Sequence, residues 1–167
     1  MKKITKKVLD EAFAGESMAH MKYLSFAEIA EKEGFSNIAR LFRAIAFAEQ
    51  VHAINHARVL EYLNNTEKNL QTAIEGETYE VEEMYPSFDA IVNLQGEEKA
   101  HRSIHYAIEA EKIHQLLYSN AKKSVIKGKD VEIDEIYICP VCGYTHIGTP
   151  PENCPVCNLS GKKFKKF

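Results

Sequence analysis

A Glu-x-x-His step falls fifteen residues after a glycine twice in this chain of 167 residues. The first instance runs from Gly34 to Glu49-Gln50-Val51-His52, the second from Gly96 to Glu111-Lys112-Ile113-His114. An arginine follows each glycine by six residues (Arg40, Arg102), and a lone acid precedes each by about five helical turns (Glu16, Glu77). The same helical hairpin is therefore encoded twice, with a carboxylate on one arm and a Glu/His pair on the other. Two such hairpins packed together direct four carboxylates and two imidazoles at one point in a bundle core, the ligand set of a di-iron or di-manganese carboxylate site.

The register of the repeat supports this reading. In antiparallel helices, residues equidistant from the turn lie at the same height. Glu16 and Glu49 are equidistant from position 32.5, close to Gly34, and Glu77 and Glu111 from position 94, close to Gly96. The second hairpin carries one residue more between its lone acid and its glycine, a misfit expected to be absorbed near Pro86. Apolar residues recur at 3–4 spacing from about residue 5 to 126, as helices require. Gly34 suits a helix C-terminus, with Ser36 or Asn37 capping the next helix. That helix runs toward Leu63 and breaks at Asn64-Asn65-Thr66. A third begins near Asn69 and should kink or break at Pro86, and the last runs from Gly96 to about Ser124. The expected fold is mainly α: a four-helix bundle over residues 1–127, then a small β/knuckle domain over 131–167. Val131, Ile133, Ile136 and Ile138 suggest a strand there. So short a segment cannot hold itself together by an apolar core and needs a metal.

A third Glu-x-x-His, Glu98-Lys99-Ala100-His101, lies far around the helix from the face shared by Glu111 and His114 and belongs to the solvated side. Glu80 follows Glu77 by three residues, so both can face the core, and Glu80 is an extra carboxylate without a counterpart in the first half. Burying these acids without metal would cost several kcal/mol each, on the order expected for desolvated charges. Hard oxygen donors with two imidazoles suit iron or manganese. Tyr23 lies two turns beyond Glu16 on the same face, where its hydroxyl could donate to a ligating carboxylate or simply fill the core. Tyr85, before Pro86, is similar. His20 and His56 read as core or surface histidines.

All four cysteines fall in the last 29 residues, as Cys139-Pro140-Val141-Cys142 and Cys154-Pro155-Val156-Cys157. Two such knuckles with eleven residues between them supply a tetrahedral four-thiolate site. Spacing alone would favour zinc over iron. With no apolar h-region at the N-terminus, clustered Cys-x-x-Cys pairs read as metal ligands rather than disulfides, and a cytoplasmic location is expected. No run of 18 apolar residues exists to span a membrane. The net charge of −3 gives no reason to propose nucleic acid as a partner.

These motifs in this order resemble the rubrerythrins, which join a ferritin-like di-iron domain to a rubredoxin-like domain. The resemblance covers essentially the whole chain and is carried by Ala14-Gly15-Glu16-Ser17, Ala48-Glu49-Gln50-Val51-His52, Gly76-Glu77-Thr78-Tyr79-Glu80, Glu83-Met84-Tyr85-Pro86, Glu111-Lys112-Ile113-His114 and both knuckles. It implies Glu16, Glu49, His52, Glu77, Glu80, Glu111 and His114 as di-iron ligands, with Glu80 and His52 alternating on one iron and Tyr23 and Tyr85 beside the site. It implies iron on Cys139, Cys142, Cys154 and Cys157, although zinc could occupy either site in isolated protein. Asn158 stands where the second knuckle usually has glycine. The implied activity is reduction of hydrogen peroxide to water in oxidative-stress defence, with Glu80, His52, Tyr23 and Tyr85 as the working residues. Electrons would come from a rubredoxin or a NAD(P)H-linked reductase. Family members are dimers or larger, with the tetracysteine domain of one subunit approaching the di-iron site of another, and some exchange helix pairs between subunits. Asn64–Asn69 would be the hinge for such an exchange. Iron storage, or a zinc ribbon on a structural bundle, are the competing readings.

Overall fold

A computed structural model describes all 167 residues. The chain is mainly helical and closes with a small antiparallel sheet. It divides into two compact units, Met1–Asn64 and Asn65–Phe167.

The first unit is a hairpin of α1 (Lys3–Lys32) and α2 (Ser36–Val59). Gly34 adopts φ +86°, a left-handed conformation open to glycine at no steric cost. It closes a Schellman turn: the Gly34 amide donates to the Glu31 carbonyl, and the Phe35 amide to that of Ala30. The turn is so tight that Phe35 itself becomes the N-cap of α2, without a side-chain cap. The expected cap, Ser36, is instead the first helical residue.

The seam between the two helices is made of alanines. Ala27 and Ala30 of α1 and Ala39, Ala46, Ala53 and Ala57 of α2 are buried. Ala39, Ala46 and Ala53 recur every seven residues, so one narrow stripe of methyl groups faces the partner helix along its length. The larger apolar groups lie off this seam: Leu24, Phe26, Ile38, Leu41 and Ile45 remain exposed within the unit.

After α2, the amide of Tyr62 reaches back to the Ala57 carbonyl and that of Glu61 to Arg58. The same kind of turn here uses Glu61, not glycine, at φ +60°. A Cβ in this conformation costs roughly 1–2 kcal/mol, partly offset by the greater freedom glycine has when unfolded. Glu61→Gly is therefore expected to stabilise the protein by about 0.5–1 kcal/mol and raise the melting midpoint by roughly 1–4 °C. A lowered midpoint in thermal unfolding would contradict this.

The second unit begins with α3 (Thr66–Tyr79), capped by the Asn65 side chain, which accepts from the Lys68 amide. The cap places the helix start three residues before the expected Asn69. A π-helical turn, Glu80–Met84, leads into α4 (Tyr85–Leu94), and a Gly96 turn at φ +71° leads into α5 (Glu98–Ile126).

The π turn explains the one-residue misfit between the two hairpins. Eighteen residues separate Glu16 from Gly34, and nineteen separate Glu77 from Gly96. A π turn takes up one residue more than an α turn without changing the direction of the helix. The Tyr85 amide bonds the Glu80 carbonyl, five residues back. Pro86 then follows within the first turn of α4. Proline has no amide to donate and crowds the carbonyl four residues before it, so the ladder widens just there. The extra residue is absorbed immediately before Pro86, and the chain stays helical rather than breaking.

The C-terminal module carries β1 (Ile136–Ile138), β2 (Thr145–Ile147) and β3 (Lys165–Lys166) in the antiparallel order β2-β1-β3. Tyr137 pairs with His146 on one side and Lys166 on the other. Val131 and Ile133 lie outside the sheet, which corrects the strand expected to begin at Val131. The alternation is present in the sequence, but the only pairing edge is taken up from Ile136 onward.

Candidate metal centres

In the first unit, Glu16 on α1 and Glu49 and His52 on α2 present donor atoms that all lie within 4.8 Å of one another. His52 Nδ1 lies 2.9 Å from Glu49 Oε2 and 3.8 Å from Glu16 Oε1. The three-residue step puts Glu49 and His52 on one face of α2, and the hairpin register puts Glu16 opposite them. Tyr23 packs in a ring cluster, its centroid 6.1 Å from Phe26 and 6.2 Å from Phe42. His20 crosses the same hairpin, with Nδ1 2.8 Å from the Ala46 carbonyl oxygen.

In the second unit the arrangement is repeated. Glu77 on α3 joins Glu111 and His114 on α5 within the same 4.8 Å limit. His114 Nδ1 lies 2.7 Å from Glu111 Oε2 and 4.0 Å from Glu77 Oε1. Burial pushes the Glu77 carboxyl up to about 8, helped by a hydrogen bond with Glu111 and by the negative charges of Glu111 and Glu80. Two carboxylates this close cannot both ionise without a cation. Glu80 is shifted upward by burial and by Glu111, against the opposing pull of His114. It sits beside the triad, and its carboxylate is not one of the converging donor atoms. The Tyr85 phenol is raised by burial and then by the charges of Glu80, Glu111 and Glu77, which places it in the same electrostatic neighbourhood. His101 pairs with Asp89 of α4 and stays out of the triad.

The four cysteine sulfurs form the third cluster. Cys139 and Cys157 sulfurs are 3.5 Å apart, as are those of Cys142 and Cys154. This is far beyond a disulfide bond and near the edge of about 3.8 Å that a tetrahedron with metal–sulfur bonds of about 2.3 Å requires. The two knuckles match bond for bond. The Gly143 amide donates to the Cys139 carbonyl and the Asn158 amide to that of Cys154; the Cys139 amide donates to Tyr144, the Cys154 amide to Leu159. Asn158 takes φ +62° where Gly143 takes +77°, so asparagine fills the glycine position of the second knuckle. The amides of Tyr144 and Leu159 bond the sulfurs of Cys142 and Cys157, so both knuckles keep their N–H to sulfur contacts. Burial raises Cys142. Cys154 is also buried, yet amide bonds from Cys157 and Val156 bring it below the ordinary thiol range.

The module packs on α5 of its own chain. Tyr106 lies against the cysteine cluster, a Cβ at Gly143 would be in van der Waals contact with the Ala110 methyl at 3.8 Å, and Thr145 reaches His114. This differs from an approach by another subunit alone. From His114 to Ile126 the helix advances about 18 Å, whereas the nine residues Lys127–Glu135 can extend to about 30 Å. The tether therefore suffices for the module to return along the last turns of α5. The small Ala110 and side-chain-free Gly143 permit the close approach. Thr145 and the π turn are the two features of the site with no counterpart in the sequence motifs.

Paired helical hairpins with matching carboxylate/histidine triads, joined to a tetracysteine knuckle module, define a protein of the di-iron carboxylate class with a rubredoxin-like centre. The Rubrerythrin family matches residues 7–122, and the rubrerythrin rubredoxin-like domain matches residues 137–165. Rubrerythrin-2 of Clostridium acetobutylicum is 43% identical, over 98% of this chain and 97% of its own. Nigerythrin of Nitratidesulfovibrio vulgaris is 37% identical, over 89% of this chain and 79% of its own. A solved structure described as the fully reduced, all-ferrous state of nigerythrin is 32% identical, with TM-score 0.58, covering 98% of this chain and 86% of that one. The chain belongs to the rubrerythrin family. Its donor sets fit the iron that family binds: oxygen and imidazole donors in the helices, thiolates in the knuckles.

Proposed function

We propose that this chain is a non-haem di-iron peroxidase that reduces hydrogen peroxide to water in oxidative-stress defence. Two electrons and two protons convert one peroxide molecule into two water molecules. The observation that carries the reading is the pairing of two carboxylate/histidine triads with a one-electron tetracysteine module held against α5. Storage of iron needs no such inlet.

Glu16, Glu49, His52, Glu77, Glu80, Glu111 and His114 would hold the metal pair, and Cys139, Cys142, Cys154 and Cys157 would hold the third ion. Ferrous ions held there would supply the two reducing equivalents that peroxide reduction needs. Glu77, raised by burial and hydrogen-bonded to Glu111, and the Tyr85 phenol beside it are the groups placed to hold and deliver protons. His52 is the imidazole that would yield its place. Glu80, adjacent to a triad but outside it, suits the ligand that replaces it. The π turn that begins at Glu80 gives this residue a backbone unlike that of Glu77.

The apolar side chains left exposed on the first hairpin need a covering layer, and a second hairpin supplies one. The two triads then meet in a four-helix bundle, closed within one chain or by exchange of hairpins between copies in a homodimer or larger assembly. Leu60–Asn65, between α2 and α3, is the hinge available for exchange. The working domains are residues 1–127 and 131–167. No helix is long and apolar enough to cross a membrane, and the reading places the protein in the cytoplasm, fed by a rubredoxin or a NAD(P)H-linked reductase.

Anaerobic reduction with dithionite, followed by peroxide or air, tests the reading. Reoxidation much faster by peroxide than by air is expected. Mineralisation of excess iron would replace the reading with storage, and absence of visible bands would replace it with a zinc module. Glu80→Ala is expected to keep its metal and lose the preference for peroxide over oxygen. Unchanged peroxide turnover in that variant would reject the ligand-exchange role.

A further inference from the structure

Thr145 is the one polar residue buried in the molecule, at 5% exposure, and neither the metal ligands nor the proton-holding groups account for it. It opens β2, opposite Ile138. Its hydroxyl donates to the Gly143 carbonyl at 3.2 Å and lies 2.7 Å from His114 Nε2. A hydroxyl has one proton. With that proton on the Gly143 carbonyl, Oγ1 accepts from an Nε2–H, the tautomer His114 adopts when a metal takes the place of the proton between Nδ1 and Glu111 Oε2, 2.7 Å apart. Nδ1 then has its lone pair free for the metal, and Nδ1 is the atom that faces Glu111 and Glu77.

We propose that Thr145 is a positioning residue through which the tetracysteine module sets the tautomer and ring orientation of His114, so that metal loading of the helical half-site depends on the folded, metal-bound knuckle module. The inference rests on reading the Glu77/Glu111/His114 triad as a metal site, not on the peroxidase reading. A histidine that ligates through one nitrogen is commonly held by a hydrogen bond from the other. Here that bond comes from a segment too small to fold without its own ion. Around it, Leu117, Ile136 and Ile138 line an apolar cavity with His114 and Thr145, a low-polarity setting that strengthens the hydrogen bond. Gly143, which accepts from Thr145, directly follows the ligand Cys142. Knuckle geometry and imidazole geometry are thus linked through two consecutive hydrogen bonds. Metal should load in order, first on the cysteines and then on the helices.

The test uses the full chain with zinc on the cysteines and cobalt(II) as the probe of the helical site, titrated against a competing chelator. T145V is expected to weaken cobalt binding by about 10–100-fold, the usual effect of losing such an outer hydrogen bond, while T145S retains wild-type affinity. With ¹⁵N-labelled histidine and zinc also in the helical site, the His114 Nε2–H should be protected from solvent exchange in wild type and T145S, and should exchange several-fold faster in T145V. Wild-type cobalt affinity in T145V, or equally fast Nε2–H exchange in wild type and T145V, would overturn the proposal. Neither readout involves peroxide, so a protein without peroxidase activity could still bear it out.

Discussion

Replacing Cys142 by alanine is expected to abolish the tetracysteine absorption bands and to cut donor-driven peroxide turnover by on the order of 100-fold or more, a barrier increase of about 2.7 kcal/mol or more. Cys142 is buried at the centre of the knuckle cluster, with its sulfur 3.5 Å from that of Cys154. Three remaining thiolates leave the tetrahedron open, and a module this small loses its main source of folding energy with its ion. The effect separates two roles. With the helical site loaded and reduced directly by dithionite, a single reoxidation by peroxide should persist, because that chemistry belongs to the carboxylate/histidine donors. Steady-state turnover with a protein donor should not. Equal losses in both assays with the helical site shown to be fully loaded would mean that the knuckle module takes part in the peroxide chemistry itself, beyond admitting electrons and supporting metal loading, and full donor-driven turnover would remove it from the electron route.

The second large effect is a pH dependence of metal loading. In the metal-free half-site, burial and the neighbouring Glu111 and Glu80 raise Glu77 from an ordinary 4.5 to about 8. A carboxyl whose folded value is raised contributes stability that is complete below 4.5 and is lost as pH climbs through about 8. The metal-free protein is therefore disfavoured at neutral and mildly alkaline pH, where the folded state must either keep a proton on Glu77 that the unfolded chain has released or, above about 8, leave the acid ionised without a counter-charge. A divalent ion reverses the balance by taking the place of the proton. Affinity for the Glu77/Glu111/His114 site should rise about tenfold per pH unit below 8 and level off above it, with one proton released from this pair per ion bound. Titration of cobalt(II) in buffers of differing ionisation enthalpy checks both statements. A flat affinity between pH 6 and 8 would show that the pair is already ionised and compensated by some other charge.

The parts of this molecule that were legible in the sequence are those written in local periodicity. The two glycines at fixed distance from Glu-x-x-His steps specify where helices turn, and the three-residue step specifies which side chains share a face. Glu16, Glu49 and His52, and separately Glu77, Glu111 and His114, consequently meet as the repeat requires. The cysteine knuckles are legible for the same reason, down to Asn158 in the left-handed position. The features that escaped depend on longer-range or subtler causes. The extra residue between Glu77 and Gly96 is visible as a count, but a count does not say whether the chain kinks, bulges or winds into a π turn. The start of α3 at Thr66 follows from an Asn65 cap that is easily passed over among neighbouring polar residues. Thr145 looks like any strand threonine until tertiary packing brings it to His114, a residue 31 positions away.

The repeat also implies more than either hairpin displays alone. Each triad supplies two carboxylates and one imidazole, too few donors to complete a metal pair, while their sum with Glu80 matches the donor set of a di-iron carboxylate centre. X-ray absorption at the iron edge, on protein shown to hold three irons per chain, tests this directly. The account predicts an iron–iron vector of about 3.5–4 Å, from two ions sharing one site. Isolated iron in each triad, with no metal neighbour within that range, would contradict it.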